Sequence, residues 1–254
     1  MLGRKATLIT LAVFLISAST SYSTESAKSI TIMTTDGKKL GGTLYSTPSA
    51  STKPPCVVVL PDTRCDKDPY EGFASRLNQA GFTVLVLDFR FKDLISRARN
   101  REEAVKLIQE QDLQTIVDDD IKSAMEFLVK QEVVDTGRIG FLGSSLGARV
   151  ALVAATRYEV AALTLISLSG EYALPGGKRV EELLSVYGNK PVLFMTSEKD
   201  WGGNYKAAEH NRLYFEWAKG KKELKIWPGS GHGPDIVNTD QAADFIKEWL
   251  RRNL

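Results

Sequence analysis

Arg138-Ile139-Gly140-Phe141-Leu142-Gly143-Ser144-Ser145-Leu146-Gly147 reads as a short buried strand that runs through a Gly-x-Ser-x-Gly turn directly into a helix. Leu146, Val150, Leu152 and Val153 supply the apolar face of that helix. A turn this tight leaves no room for a side chain two residues to either side of the serine, which is the steric reason for Gly143 and Gly147. Ser145 is thereby lifted clear of the sheet. The first amides of the helix face the space in front of it, where they favour developing negative charge. Gly-x-Ser-x-Gly alone is a common pattern; the strand before it and the helix after it give it weight here.

The rest of the chain alternates in the same way. Residues 29–45 switch between apolar and polar on both sides of Thr35-Asp36-Gly37-Lys38, the pattern of a hairpin with one exposed face. Cys56-Val57-Val58-Val59-Leu60 and Phe82-Thr83-Val84-Leu85-Val86-Leu87-Asp88 read as fully buried strands, near-continuous apolar runs as in parallel strands covered on both faces. Helical spacing over 70–80 separates them. Residues 89–100 read as a polar, basic loop, and 101–131 as a long helical region, in one or two pieces. Within it Asp118-Asp119-Asp120 reads as a solvated face or a helix start, because successive carboxylates on a helix point in different directions and make a poor metal site. Beyond the serine turn come strands at 161–168, 191–196 and 223–227, helices at 180–187 and 204–219, and a closing amphipathic helix at 235–252. Strands alternating with helices predict an α/β fold, a mostly parallel sheet with helices on both faces. Functional residues in such sheets gather at the carboxyl ends of the strands.

A serine hydroxyl needs a histidine to take its proton and a carboxylate to hold that histidine in the right tautomer. The chain has two histidines. His210 falls inside the predicted 204–219 helix, an ordinary packing position. His232 lies in Pro228-Gly229-Ser230-Gly231-His232-Gly233, a loop after the last strand, where flanking glycines leave the imidazole free to swing toward a site. For the acid, Asp200 follows a strand directly and is the first choice by position; Glu171 and Glu198, also near strand ends, are the alternatives. Cys65 lacks a strand–turn–helix setting and is not expected to be the nucleophile.

The order Ser145, Asp200, His232, together with eight predicted strands and the elbow after the fifth, resembles the α/β-hydrolase fold over nearly all of 29–254. With no room for a large lid between Leu168 and Pro191, the chain is most similar to the dienelactone-hydrolase-like branch. The resemblance implies a sheet that opens with antiparallel pairs and continues parallel. It also implies an oxyanion hole built from the amide of Leu146 and one amide of the loop after the third strand, with Thr63 the first choice and Arg64 the second. There are departures from the family pattern. Pro61-Asp62 stands where many relatives carry His-Gly, and dienelactone hydrolases proper use cysteine at the elbow, so Ser145 points toward ester hydrolysis. The expected activity is that of a serine esterase acting on a small soluble ester, with no cofactor or metal. A serine peptidase or amidase would use the same triad, and a non-catalytic binding protein on this fold is the contrasting reading. Trp201, Tyr172 and Phe91 are candidates for an apolar acyl pocket or for ordinary packing.

With 254 residues, 43% hydrophobic and 25% charged, the chain has enough material for one extensive core. Arg4-Lys5, the apolar run 6–18 and the small polar stretch after it have the grammar of a signal peptide over about residues 1–23. Cleavage would leave a single domain over 24–254, secreted or periplasmic. The alternative is an uncleaved anchor, although the run is short of the ~20 residues that span a bilayer. Losing Arg4 and Lys5 from a formal charge of +2 leaves the mature chain close to neutral, so neither nucleic acid nor an anionic membrane is an expected partner. Cys56 opens a buried strand and Cys65 lies past its far end, a separation that argues for two free thiols.

Overall fold

A computed structural model describes residues 26–46, 52–100, 103, 106–108, 110–168, 179–203 and 206–254. The expected leader, Glu171 and Tyr172 lie outside the described residues. The strands are β1 (Ser26–Met33), β2 (Lys39–Ser46), β3 (Cys56–Leu60), β4 (Thr83–Leu87), β5 (Ile139–Ser144), β6 (Ala162–Ile166), β7 (Val192–Ser197) and β8 (Lys222–Trp227). They form one sheet in the order β1-β2-β4-β3-β5-β6-β7-β8. The β1–β2 and β2–β4 pairs are antiparallel and the other pairs parallel. No large lid stands over the described strand ends, and the α/β-hydrolase architecture is thus present.

Burial follows from the connections. Every residue of β3 to β7 is buried, because crossover helices cover both faces. Val58, Leu60, Leu85, Phe141, Leu163 and Phe194 join the core on one face, with the elbow helix Leu146–Ala154. Val57, Val59, Val84, Leu142, Leu193 and Met195 face the other way, onto the helices Glu71–Gln79 and Asp240–Arg251. At the edge, β8 is half-exposed and carries Lys222, Glu223 and Lys225, charges that discourage pairing with another chain.

Three expectations need correction. Residues 89–100 are not a plain polar loop: Phe89 and Ile95 are buried, and a short helix runs over Lys92–Ile95. The acidic run lies in a π-helical turn, Ile116–Ile121, between helices Glu110–Thr115 and Lys122–Val129. Asp120 there is buried rather than solvated, held by the Arg90 guanidinium, with Nε donating to Oδ1 at 2.7 Å. The closing helix is two helices, Pro234–Val237 and Asp240–Arg251. They break at Thr239, whose hydroxyl accepts from the Ala242 amide at 3.3 Å and caps the second.

Candidate active site

The elbow is built as the local sequence dictates. β5 ends at Ser144, the helix begins at Leu146, and Ser145 between them holds φ 53° and ψ −107°. A non-glycine residue there carries strain of about 1–3 kcal/mol, which persists only where the surroundings impose it. The Ser145 amide donates to the Ile166 carbonyl of β6 at 2.8 Å, and the Ser145 carbonyl accepts from the Ala148 and Arg149 amides at 3.1 and 3.3 Å. The two glycines are required by close approach. A Cβ on Gly143 would stand 2.1 Å from the Gly147 carbonyl oxygen, and one on Gly147 would stand 2.2 Å from that of Leu60. Gly147 therefore lets the elbow helix rest on the end of β3.

His232 and Asp200 meet across 32 residues of sequence. Nδ1 of His232 lies 2.5 Å from Oδ1 of Asp200, and both side chains are buried. Thr196 Oγ1 donates to the other carboxylate oxygen at 2.7 Å, so both Asp200 oxygens are engaged. A carboxylate on Nδ1 draws the proton to that nitrogen and leaves a lone pair on Nε2. Nε2 is buried and has no hydrogen-bond partner among the described residues. It is therefore available to accept a proton.

The histidine loop is anchored at several points. Ser197 Oγ donates to the Gly231 carbonyl at 2.5 Å, the Lys199 amide to the Gly229 carbonyl at 2.9 Å, and the Gly233 amide to Ser167 Oγ at 3.0 Å. Gly233, at φ 55°, packs so close to Ser144 that a Cβ would stand 2.5 Å from its hydroxyl oxygen. The neighbour of His232 thus touches the neighbour of Ser145, which brings the serine and histidine loops together. Beyond the room that flanking glycines leave for the imidazole, Gly233 serves close packing against Ser144.

The other candidates separate clearly. Glu198 is exposed, its amide donating to the Trp227 carbonyl at 2.8 Å. His210 is half-buried on the helix Ala207–Trp217 and stacks on Tyr214, ring centroids 6.1 Å apart. Cys65 and Cys56 are both buried free thiols, with burial pushing the Cys65 thiol up. Trp201 lies against the His232 ring, centroids 5.0 Å apart, whereas Phe91 packs on the core.

After β3, Asp62 is buried and organises the loop. Its amide donates to the Tyr70 hydroxyl at 3.2 Å, and its carboxylate accepts from the Arg64 amide at 2.9 Å and from Arg64 Nε and Nη2 at 3.0 and 2.7 Å. The Arg64 amide is therefore committed to Asp62, and Thr63 sits half-buried beside it. A cavity of about 330 Å³ opens here, walled by Thr63, Arg64, Ile95, Ala98, Asn100 and His232. Sequence reasoning missed Ile95, Ala98 and Asn100. A four-residue helix followed by a bend carries no periodicity to find. Among the described residues, no three His, Cys, Asp or Glu side chains are grouped to hold a metal ion.

Residues 41–244 match the model of the dienelactone hydrolase family. The chain belongs to that family. Membership makes it a hydrolase of the ester type. Among its relatives is an uncharacterised protein of Mycobacterium tuberculosis, 27% identical over 240 residues, spanning 88% of this chain and 79% of that one. Similar solved structures include a dienelactone hydrolase from Anabaena variabilis, with TM-score 0.66, 19% identity and coverage of 91% of this chain and 99% of that one. An esterase from Pyrococcus furiosus also has TM-score 0.66 and 19% identity, covering 90% and 91%. Both structures share the fold of this family member.

Proposed function

We propose that the protein is an exported serine hydrolase that cleaves small, soluble carboxylic esters through an acyl-enzyme. The observation that carries this reading is His232, with Nδ1 held 2.5 Å from Asp200 and Nε2 buried and without a hydrogen-bond partner among the described residues, on a loop packed against the strained turn of Ser145. Ser145 Oγ attacks the ester carbonyl as His232 Nε2 takes its proton, and Asp200 stabilises the imidazolium. The negative charge that forms on the carbonyl oxygen is met by the amides of Leu146 and Thr63. Leu146 suits the role because the first amide of a helix has no intrahelical partner, and Thr63 because Asp62 occupies the Arg64 amide. Collapse breaks the bond to the alcohol, which leaves with the proton from His232. Water, deprotonated by the same nitrogen, then releases the acid and restores Ser145.

No metal or cofactor is needed for this sequence of steps. A cavity of about 330 Å³ beside His232 suits a small acyl or alcohol group. Export rests on the signal-peptide grammar of the first residues, and the small, soluble ester on the lack of room for a large lid between Leu168 and Pro191.

Purified mature protein treated with a fluorophosphonate should carry the label on Ser145 by peptide mass spectrometry, and should turn over p-nitrophenyl acetate and butyrate. Ser145→Ala should lose the label and at least about 10⁴-fold of kcat. Wild-type protein with neither label nor turnover would sink the proposal.

A further inference from the structure

Trp201 follows Asp200 in the single 3₁₀ turn Asp200–Gly203 that leaves β7. Its backbone is left-handed, at φ 53°, a conformation that a bulky residue adopts only where its surroundings hold it there. The consequence of that backbone is a contact. The indole lies against the His232 imidazole, ring centroids 5.0 Å apart and planes inclined by 35°. Trp201 is not among the walls of the 330 Å³ cavity, so that space does not account for its position.

An aromatic face within about 6 Å attracts a cation through its quadrupole and attracts a neutral ring much less. On the reading given under Proposed function, His232 is neutral before reaction and cationic in the transition state. A group that stabilises only the second of these lowers the barrier. The other charged groups around His232 are Asp200 on Nδ1, Asp235, whose carboxylate accepts from the His232 amide at 3.4 Å, and the Asp62–Arg64 pair across the cavity. Lys199, on the same connection as Trp201, is exposed. Asp200 holds one edge of the imidazole in its plane, and Trp201 braces the ring itself. We propose that Trp201 is a positioning residue for the base, fixing the plane of His232 and stabilising the imidazolium that forms when Ser145 gives up its proton.

The test is the pH dependence of kcat and KM for p-nitrophenyl acetate and butyrate, in wild type, Trp201→Leu and Trp201→Phe. Leucine keeps an apolar side chain and removes the π face. It should lower kcat about 3- to 30-fold, change KM less than about 2-fold, and move the acid limb of kcat/KM to lower pH, because the imidazolium loses support. Phenylalanine should restore most of both. If Trp201→Leu does not fold, phenylalanine and para-cyanophenylalanine at 201 differ in the charge of the ring face with little change in packing, and the limb should lie lower for the cyano analogue. An acid limb that stays in place across these variants, or a KM that rises with acyl length, would overturn the proposal and make Trp201 a wall of the acyl site. In that case wild type still takes the fluorophosphonate and the hydrolase reading stands; absence of both label and turnover in wild type would overturn both.

Discussion

Gly147 shows how much of this site hangs on single atoms. A methyl group there would stand 2.2 Å from the Leu60 carbonyl oxygen and 2.5 Å from that of Pro61, so backbone must move. Gly147→Ala should therefore cost at least about 3 kcal/mol and lower Tm by about 8 °C or more, as read by calorimetry. Gly231 is the control. A Cβ there comes no closer than 3.4 Å to Asp235 and 3.5 Å to Ile236, ordinary contacts, and Gly231→Ala should shift Tm by less than about 2 °C. At the proposed acid, Asp200→Asn preserves the volume of the side chain and exchanges an acceptor for a donor opposite Nδ1, which favours the wrong tautomer of His232. Its kcat should fall roughly 10⁴-fold with KM little changed, measured on p-nitrophenyl acetate. Ring orientation survives in that variant; the lone pair on Nε2 does not.

Among elements, the π-helical turn Ile116–Ile121 and the β1–β2 hairpin are clasped by one side chain. Arg90, its side chain largely covered just after β4, donates to Asp36 of the hairpin turn at 2.7 Å and to Asp120 at 2.7 Å, and Thr35 bonds Asp119. Asp118 turns outward to Arg157, so the three carboxylates diverge as helical geometry requires, but the innermost is dry. Burial lifts the Asp120 carboxyl to about 6 against the opposing pull of Arg90, whereas hydrogen bonds from Arg90 and Thr34 lower that of Asp36 to about 2. The signs are opposite. Asp120 binds a proton more tightly folded than unfolded, so its contribution to stability grows as pH falls from about 6 to about 4. Asp36 contributes above about pH 4 and loses that contribution as pH falls toward 2. In urea unfolding, wild type should gain about 2 kcal/mol on Asp120→Asn between pH 7 and pH 4. A constant difference between the two proteins over that range would contradict the burial of the ionised carboxyl.

For the whole molecule, the sheet and the helices on its two faces make one barrier to water, and the cysteines report on it. Cys56 lies in β3 and Cys65 in the loop after it; both are buried, and burial pushes the Cys56 thiol up to about 12. A thiolate reagent such as DTNB should find no reactive thiol in the native protein at pH 8 and two after unfolding in guanidinium, the full cysteine count. Reaction of one thiol in the native state would mean that the loop after β3 opens separately from the sheet. The strands, the burial of β3 to β7 and the tight serine turn were legible from the chain alone, because period, turn chemistry and close-packed glycines are written within a few adjacent residues. Ser145 and His232 could be singled out for the same reason, each sitting in a local context that few other residues share. Other features depended on which distant segments meet. Asp200 is buried against Thr196 and His232 while Glu198, two residues earlier, faces solvent. Asp62 occupies the Arg64 amide, Ile95, Ala98 and Asn100 wall the cavity, and Asp120 is dry beneath Arg90. Sequence determined most of the elements and the tight turn at Ser145 because those are local energies; tertiary structure decided which carboxylate meets His232, which amide Asp62 occupies and which residues wall the cavity, because burial and hydrogen bonding are shared between segments that only the folded sheet brings together.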